Sequence, residues 1–88
     1  MKFTYHDCQR VPSLSRCSED VVVYAEQVIN DSLNSDLAHI TFWRDTDYTG
    51  EVYVTIHAIN LYEGIVAWDA IVDYIWDSGI KDISIAAE

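Results

Sequence analysis

The chain has 88 residues, half of them hydrophobic, with 15 acidic and 5 basic side chains and a formal net charge of −10. This composition supports one small folded domain over residues 1–88 and argues against intrinsic disorder. The excess of acid disfavours direct binding to nucleic acid and to anionic membranes, because both recruit Lys and Arg.

Targeting signals and membrane spans are not expected from the sequence. No run approaches the roughly 20 apolar residues of a membrane span, and the start, MKFTYHD, lacks the apolar core of a secretory signal. We therefore expect a cytoplasmic protein, in the host cytoplasm if it is phage-encoded. Cys8 and Cys17 are then free thiols, with a disulfide as the alternative if the protein is exported by another route.

The first predicted element is a short strand at residues 1–5, where Met1, Phe3 and Tyr5 alternate with polar residues. The polar stretch 6–17, which holds the only proline, is interpreted as a loop.

A helix is predicted over residues 18–34. Ser18 is the expected N-cap, and Glu19 and Asp20 lie in the first turn, where the helix dipole favours negative charge. The apolar residues then recur at helical spacing: Val22, Ala25, Ile29 and Leu33.

The clearest local pattern is a pair of alternating runs, residues 37–45 and 51–59, around the turn sequence TDYTG. Pairing these strands so that partner numbers sum to 96 gives each face one character. The first face is apolar except at its open end: Ala38 with Ala58, Ile40 with Ile56, Phe42 with Val54, and Arg44 with Val52. The second is polar and aromatic: His39 with His57, Thr41 with Thr55, and Trp43 with Tyr53.

A second helix is predicted over residues 61–78, with Gly79 at its C-terminal cap and a last strand at residues 81–86. A broad apolar arc is expected to face the core: Leu61, Ile65, Trp68, Ile71, Val72, Ile75 and Trp76. The resulting order, β-α-β-β-α-β, is that of the ferredoxin-like split βαββαβ fold, an α+β domain with two helices on one face of an antiparallel sheet. If the first strand fails, an α-β-β-α-β domain remains.

Asp69, Asp73 and Asp77 recur at every fourth position of the second helix, with no Lys or Arg among them. Like charges at this spacing destabilise a helix by about 0.2–0.5 kcal/mol per pair. The row is either a solvated face with indifferent charge or a set of fixed carboxylates for a basic partner. Successive aspartates are about 6 Å apart along the helix axis, which is not far from the spacing of successive phosphates along one strand of a nucleic acid. Three aspartates on one helix do not converge on a hard cation.

Two further groups complete the predicted partner surface. Asp45, Asp47 and Glu51 crowd the hairpin tip and extend the negative field. Trp43 and Tyr53 are the expected apolar anchors, on the sheet face that the helices leave open. A cross-strand aromatic pair without a partner is the alternative interpretation.

Catalytic and metal-binding chemistry is not expected. His39 and His57 face each other, but no third ligand is predicted beside them, and the set His6, Cys8 and Cys17 lacks the spacing of zinc sites. The sequence offers no activated serine, nucleophile elbow or Gly-rich phosphate loop. We expect neither an enzyme nor a cofactor or metal.

The leading functional hypothesis is a small acidic protein that binds and blocks a basic, nucleic-acid-binding surface on a target enzyme or complex. Phage anti-defence proteins, such as anti-CRISPR and anti-restriction inhibitors, and immunity proteins against nucleases work in this way, in some cases by nucleic-acid mimicry. The alternative is a homo-oligomeric structural or ligand-sensing domain, with a homodimer through the aromatic sheet face, whose acidity only maintains solubility.

Overall fold

A computed structural model of the protein describes residues 3–80. These residues form six elements in chain order: β1 (Tyr5–Arg10), α1 (Pro12–Ser15), α2 (Glu19–Ser32), β2 (Ala38–Arg44), β3 (Val52–Ala58) and α3 (Leu61–Asp77).

The three described strands form one antiparallel sheet in the order β1-β3-β2. The predicted register of the hairpin is confirmed, since Ile40 lies opposite Ile56 and Trp43 opposite Tyr53. The α+β class with an antiparallel sheet is confirmed as well. The strand predicted at residues 81–86 lies outside the described residues.

The prediction of a strand at residues 1–5 followed by a loop at 6–17 was wrong. The strand begins at Tyr5 and continues to Arg10, and a short helix follows it at Pro12–Ser15. The sequence of β1 lacks the alternation of apolar and polar residues that predicts a strand, because both of its faces are polar. Half-buried and exposed residues nevertheless alternate along it. Backbone pairing with β3, rather than an apolar face, fixes this strand.

Both long helices pack on the same face of the sheet, α2 against β2 and α3 across all three strands. The core between the layers is aliphatic, with few aromatic rings. It consists of Val22, Ala25, Ile29, Ala38, Ile40, Phe42, Val52, Val54, Ile56, Ala58, Ala67, Ile71 and Ile75, with Val11 and Leu14 from the segment after β1. The opposite face of the sheet carries no helix among the described elements.

The helix boundaries follow from caps in the sequence. The Ser18 side chain accepts a hydrogen bond from the Val21 N–H, and Asn60 accepts one from the Glu63 N–H. Gly79 adopts a φ of 84°, the left-handed conformation that glycine tolerates, directly after α3. Within residues 3–80, no helix is both long enough and apolar enough to cross a bilayer.

Candidate functional site

The acidic ladder, which we define as Asp69, Asp73 and Asp77, lies on the outer side of α3. All three residues are exposed. The buried side of the same helix consists of Gly64, Ala67, Ile71 and Ile75. At about 100° per residue the aspartates lie on the side opposite this buried stripe, so the ladder points away from the sheet.

The ladder lacks compensating charge in the part of the chain that the structure describes. The last turn of α3 contains no basic residue. Arg44 on β2 pairs with Glu19 on α2, away from α3. Asp77 also lies near the helix C-terminus, where backbone carbonyls already concentrate negative potential.

Large apolar side chains flank the acidic ladder at both ends. Tyr62 is 69% exposed and Trp76 is 64% exposed. The prediction that Trp76, Leu61 and Ile65 lie on the buried side of this helix was wrong, since all three are exposed. The buried stripe is narrow because small residues bring α3 close to the sheet: Gly64 lies against the Tyr5 ring.

The hairpin tip uses two of its three predicted acids for its own structure. Asp45 accepts hydrogen bonds from the backbone N–H groups of Asp47 and Tyr48, which closes the turn. Glu51 accepts a 2.8 Å hydrogen bond from the Ser15 hydroxyl. Asp47 is exposed, and its carboxylate takes no recorded part in the turn. The tip therefore offers a partner less charge than its composition indicates.

Arg44 holds the base of this tip in place. Its guanidinium donates to the carbonyl oxygens of Ser15, Cys17 and Gly50 at 2.9–3.0 Å and contacts Glu19 at 3.4 Å. This cation joins the segment after β1 to the hairpin. It is a structural residue rather than a binding one.

The open sheet face is the surface that the helices leave bare. It comprises nine residues in three paired rows: His6, Cys8 and Arg10 from β1, His39, Thr41 and Trp43 from β2, and Tyr53, Thr55 and His57 from β3. None of the nine is acidic, although the chain has 15 acidic residues. The acids of the described sheet and helices therefore lie elsewhere.

Trp43 and Tyr53 stack on this face, with ring centroids 4.8 Å apart and an interplanar angle of 15°. The indole N–H of Trp43 donates a 2.9 Å hydrogen bond to the Thr55 hydroxyl. The pair is thus held rigidly while Trp43 keeps 42% of its surface exposed. An aromatic pair with an exposed, hydrogen-bonded indole suits a protein contact, because little side-chain entropy is lost on binding.

Three histidines form a continuous row across the open sheet face, which we call the histidine row: His6, His57 and His39. The two Nδ1 atoms of His6 and His57 are 2.8 Å apart, and the His39 and His57 rings stack with centroids 4.8 Å apart. Desolvation, followed by repulsion from His39 and His6, lowers the pKa of His57. The position of His6 beside His57 was not predicted, because residues 6–17 were interpreted as a loop.

The predicted site residues are not all brought together. The acidic ladder points outward from the helical layer, whereas Trp43 and Tyr53 lie on the opposite side of the sheet. One flat partner surface cannot contact both sets at once. The exposed aromatic residues that flank the ladder are Tyr62 and Trp76. Their outward position follows if the predicted buried side of α3 is limited to the small residues Gly64 and Ala67 and the residues in line with them.

Cavities and ligand clusters add little to these two surfaces. A groove of about 290 Å³ lies between α2 and α3, lined by Val28, Ala70 and Asp73 among others, and one of about 190 Å³ lies between β1 and α3. Within residues 3–80, no set of three or more His, Cys, Asp or Glu side chains is arranged to hold a metal ion.

Comparison with known proteins gives no relative from which to transfer a role: no family model, curated protein or solved structure matches this chain.

Proposed function

We propose that this protein is a non-enzymatic inhibitor that binds a basic, nucleic-acid-binding surface of a target enzyme or complex through α3. The observation that carries the proposal is the exposed acidic ladder, which has no basic partner in the described part of the chain. A fold under selection for stability alone gains from Lys or Arg at the end of this helix. The presence of three aspartates on this helix favours a use outside the fold.

Tyr62 and Trp76 are the anchors in this proposal, replacing Trp43 and Tyr53 on the other side of the molecule. Interface affinity depends on a few large desolvated side chains, whereas surrounding charges mainly steer the encounter and select the partner. The surface of α3 supplies both kinds of group within one helix. Asp47 at the hairpin tip adds negative field without being part of the same patch.

A Lys- and Arg-rich groove that normally binds phosphates is the matching target surface. Successive carboxylates of the ladder are about 6 Å apart along the helix axis, and three of them on a rigid helix resemble a short run of phosphates. We therefore place the protein among inhibitors of phage-defence nucleases, such as anti-CRISPR and anti-restriction proteins, or nuclease immunity proteins. Its proposed location is the cytoplasm of the cell that holds the target.

The decisive experiment compares two triple variants of equal net charge. D69N/D73N/D77N neutralises the ladder, and D20N/D31N/D36N neutralises three exposed aspartates elsewhere. Purified RNA-guided nucleases, restriction endonucleases and nuclease toxins are assayed for inhibition by the native protein and by each variant. We expect the ladder variant to lose at least about tenfold in inhibition and the control to lose little, with inhibition weakening as salt rises. Equal inhibition by both variants would contradict the proposal.

A second candidate function is a homo-oligomeric structural or ligand-sensing domain. The open sheet face favours it, because Trp43 stays 42% exposed, stacked on Tyr53, on a surface with no covering helix in the described structure. A stable dimer at neutral pH that protects this face would support it. A monomer under the same conditions, combined with nuclease inhibition, favours the first candidate.

A further inference from the structure

The open sheet face has a charge opposite to that of the rest of the molecule. At neutral pH its formal charge comes from Arg10, since no acidic residue lies among the nine side chains. Protonation of the histidine row adds three positive charges to the same surface. The face then becomes a compact cationic patch on a protein whose overall net charge is −10 with neutral histidines.

The geometry of the histidine row makes its charge state collective. The Nδ1 atoms of His6 and His57 are 2.8 Å apart, so a hydrogen bond between them takes one hydrogen, donated by whichever ring has the matching tautomer. With both rings protonated, the rings must rotate away from each other, because two N–H groups cannot point at one another at this distance. A ligand with negative charge over the row offsets this repulsion. Proton uptake and anion binding are therefore linked.

Among residues 3–80, no group that faces the row would mask this linkage. From β1, the neighbouring polar groups are Cys8 and Arg10, and from β3 the neighbour is the Tyr53 phenol. The Phe3 ring contacts His39 edge-on at 5.1 Å between centroids. No helix of the described structure packs on this face, and none of these neighbours carries a carboxylate.

We propose that the open sheet face is a pH-gated docking surface for the acidic ladder of a second copy of this chain, which gives head-to-tail association in mildly acidic solution. The row extends about 10 Å across the strands. The ladder extends about 12 Å along α3, eight residues at about 1.5 Å each. A helix lying across the strands thus places its three carboxylates over the three imidazoles.

Local complementarity outweighs the like net charge of the two copies at moderate salt. The screening length is about 8 Å at physiological ionic strength, so distant acids contribute little to the contact. The exposed Trp76 of α3 and the stacked Trp43 and Tyr53 of the sheet provide the apolar part of the interface. The contact is heterologous, since two different surfaces meet, and it propagates into short chains or closes into a ring.

The test uses two variants that each lack one half of the interface. D69N/D73N/D77N lacks the ladder and keeps the histidine row, whereas H6Q/H39Q/H57Q lacks the row and keeps the ladder. Sedimentation velocity of the native protein at 0.1 M salt should show a dissociation constant at least about tenfold lower at pH 5.5 than at pH 7.5. Each variant alone should stay monomeric at pH 5.5. An equimolar mixture should form a 1:1 complex, because one complete interface is restored.

Three outcomes would overturn the proposal. The mixture could fail to form a complex, the histidine variant could associate as strongly as the native protein, or association could be stronger at pH 7.5. The second outcome would indicate non-specific association near the sequence pI of about 4.3. The third would indicate sheet-to-sheet pairing through neutral histidines.

A single substitution guards against misfolding of the triple variants. Thr41 is exposed in the middle of the open sheet face. T41E places a carboxylate beside the row and should abolish association at pH 5.5, whereas the neutral control T41Q should retain it. Equal association of T41E and T41Q overturns the proposal. This test is independent of nuclease inhibition, which is measured at neutral pH on the monomer.

Discussion

The side-chain amide of Asn30 forms two hydrogen bonds with the backbone of Ile40, donating to its carbonyl and accepting from its N–H, each at 2.9 Å. Asn30 lies on α2 and Ile40 on β2, the strand at one edge of the sheet. The helix thus supplies the hydrogen bonds that a neighbouring strand would make. Two residues further along the same strand, the Phe42 N–H donates a 2.8 Å hydrogen bond to the Glu26 carboxylate.

We expect Asn30→Ala to lower the free energy of unfolding by about 1–3 kcal/mol, because two part-buried backbone groups lose their partners. Urea unfolding at pH 7.5, followed by tryptophan fluorescence, measures the change. Asn34→Ala is the matched control, since its side chain accepts one exposed hydrogen bond from the Asp36 N–H. Equal losses for the two variants would show that the bonds to Ile40 contribute little.

Covering of the β2 edge also has a consequence for aggregation. An uncovered edge strand pairs with other chains, and Glu26 and Asn30 occupy the groups that such pairing requires. Glu26→Ala should therefore increase thioflavin-positive aggregation on mild heating. Glu26→Gln, which still accepts a hydrogen bond from Phe42, should not. Similar aggregation of both variants would assign any effect to the lost charge instead.

The parts of the fold that could be predicted from sequence are those with an apolar face. Strands β2 and β3 alternate strictly, so a shift of one residue would bury His57 and expose Ile56, and the register follows from pattern alone. The two long helices carry their caps, Ser18 and Asn60, in the sequence. These features depend on local chemistry and need no tertiary information.

The parts that could not be predicted depend on contacts distant in sequence. Strand β1 has no apolar face, and its pairing with β3 brings His6 to His57 across 51 positions. The exposed arc of α3 results from the approach of Gly64 to Tyr5, which a helical periodicity does not contain. The helical period alone therefore predicts that the three aspartates are exposed, whereas the exposure of Trp76 beside them could not be predicted in this way.

The effect of Gly64→Ala on the free energy of unfolding should change sign when the Tyr5 ring is removed. A Cβ at position 64 would overlap the Tyr5 ring, with Cδ2 only 2.6 Å away. Gly64→Ala should therefore destabilise the protein by about 1–3 kcal/mol, despite the better helix propensity of alanine. In a Tyr5→Ala background the overlap is gone, and the same change should stabilise by up to about 1 kcal/mol. Urea titration of the four proteins of this cycle gives both values, and the same sign in both backgrounds would contradict the close contact.

The histidine row makes stability depend on pH. The pKa of His57 is lowered in the folded protein by desolvation and by His39 and His6, so the unfolded chain binds a proton more readily. Its contribution to stability is complete above pH 6.5 and is lost as the pH falls from 6.5 through the lowered value. We expect His57→Gln to reduce the slope of unfolding free energy against pH in this window.

That measurement must be made at low protein concentration, where the monomer predominates, because association would stabilise the native protein at the same pH. The control is His39→Gln, which removes one source of repulsion and keeps the desolvation of His57. It should flatten the slope less than His57→Gln does. An unchanged slope in His57→Gln would exclude the row as the source of the dependence.

The acidic ladder should reduce the stability of the helix that carries it. Asp73 has a like charge four residues away on each side, and each such pair costs about 0.2–0.5 kcal/mol. Asp73→Asn therefore should raise the free energy of unfolding by about 0.4–1 kcal/mol at low salt. The gain should shrink in 0.5 M NaCl, where screening weakens the repulsion in the native protein. Asp31→Asn on α2 is the control for the loss of one exposed charge.

If Asp73→Asn inhibits nucleases less well while unfolding at higher urea, the loss of binding cannot come from a damaged fold. If it is destabilised instead, the carboxylate has a structural partner and the ladder is part of the fold.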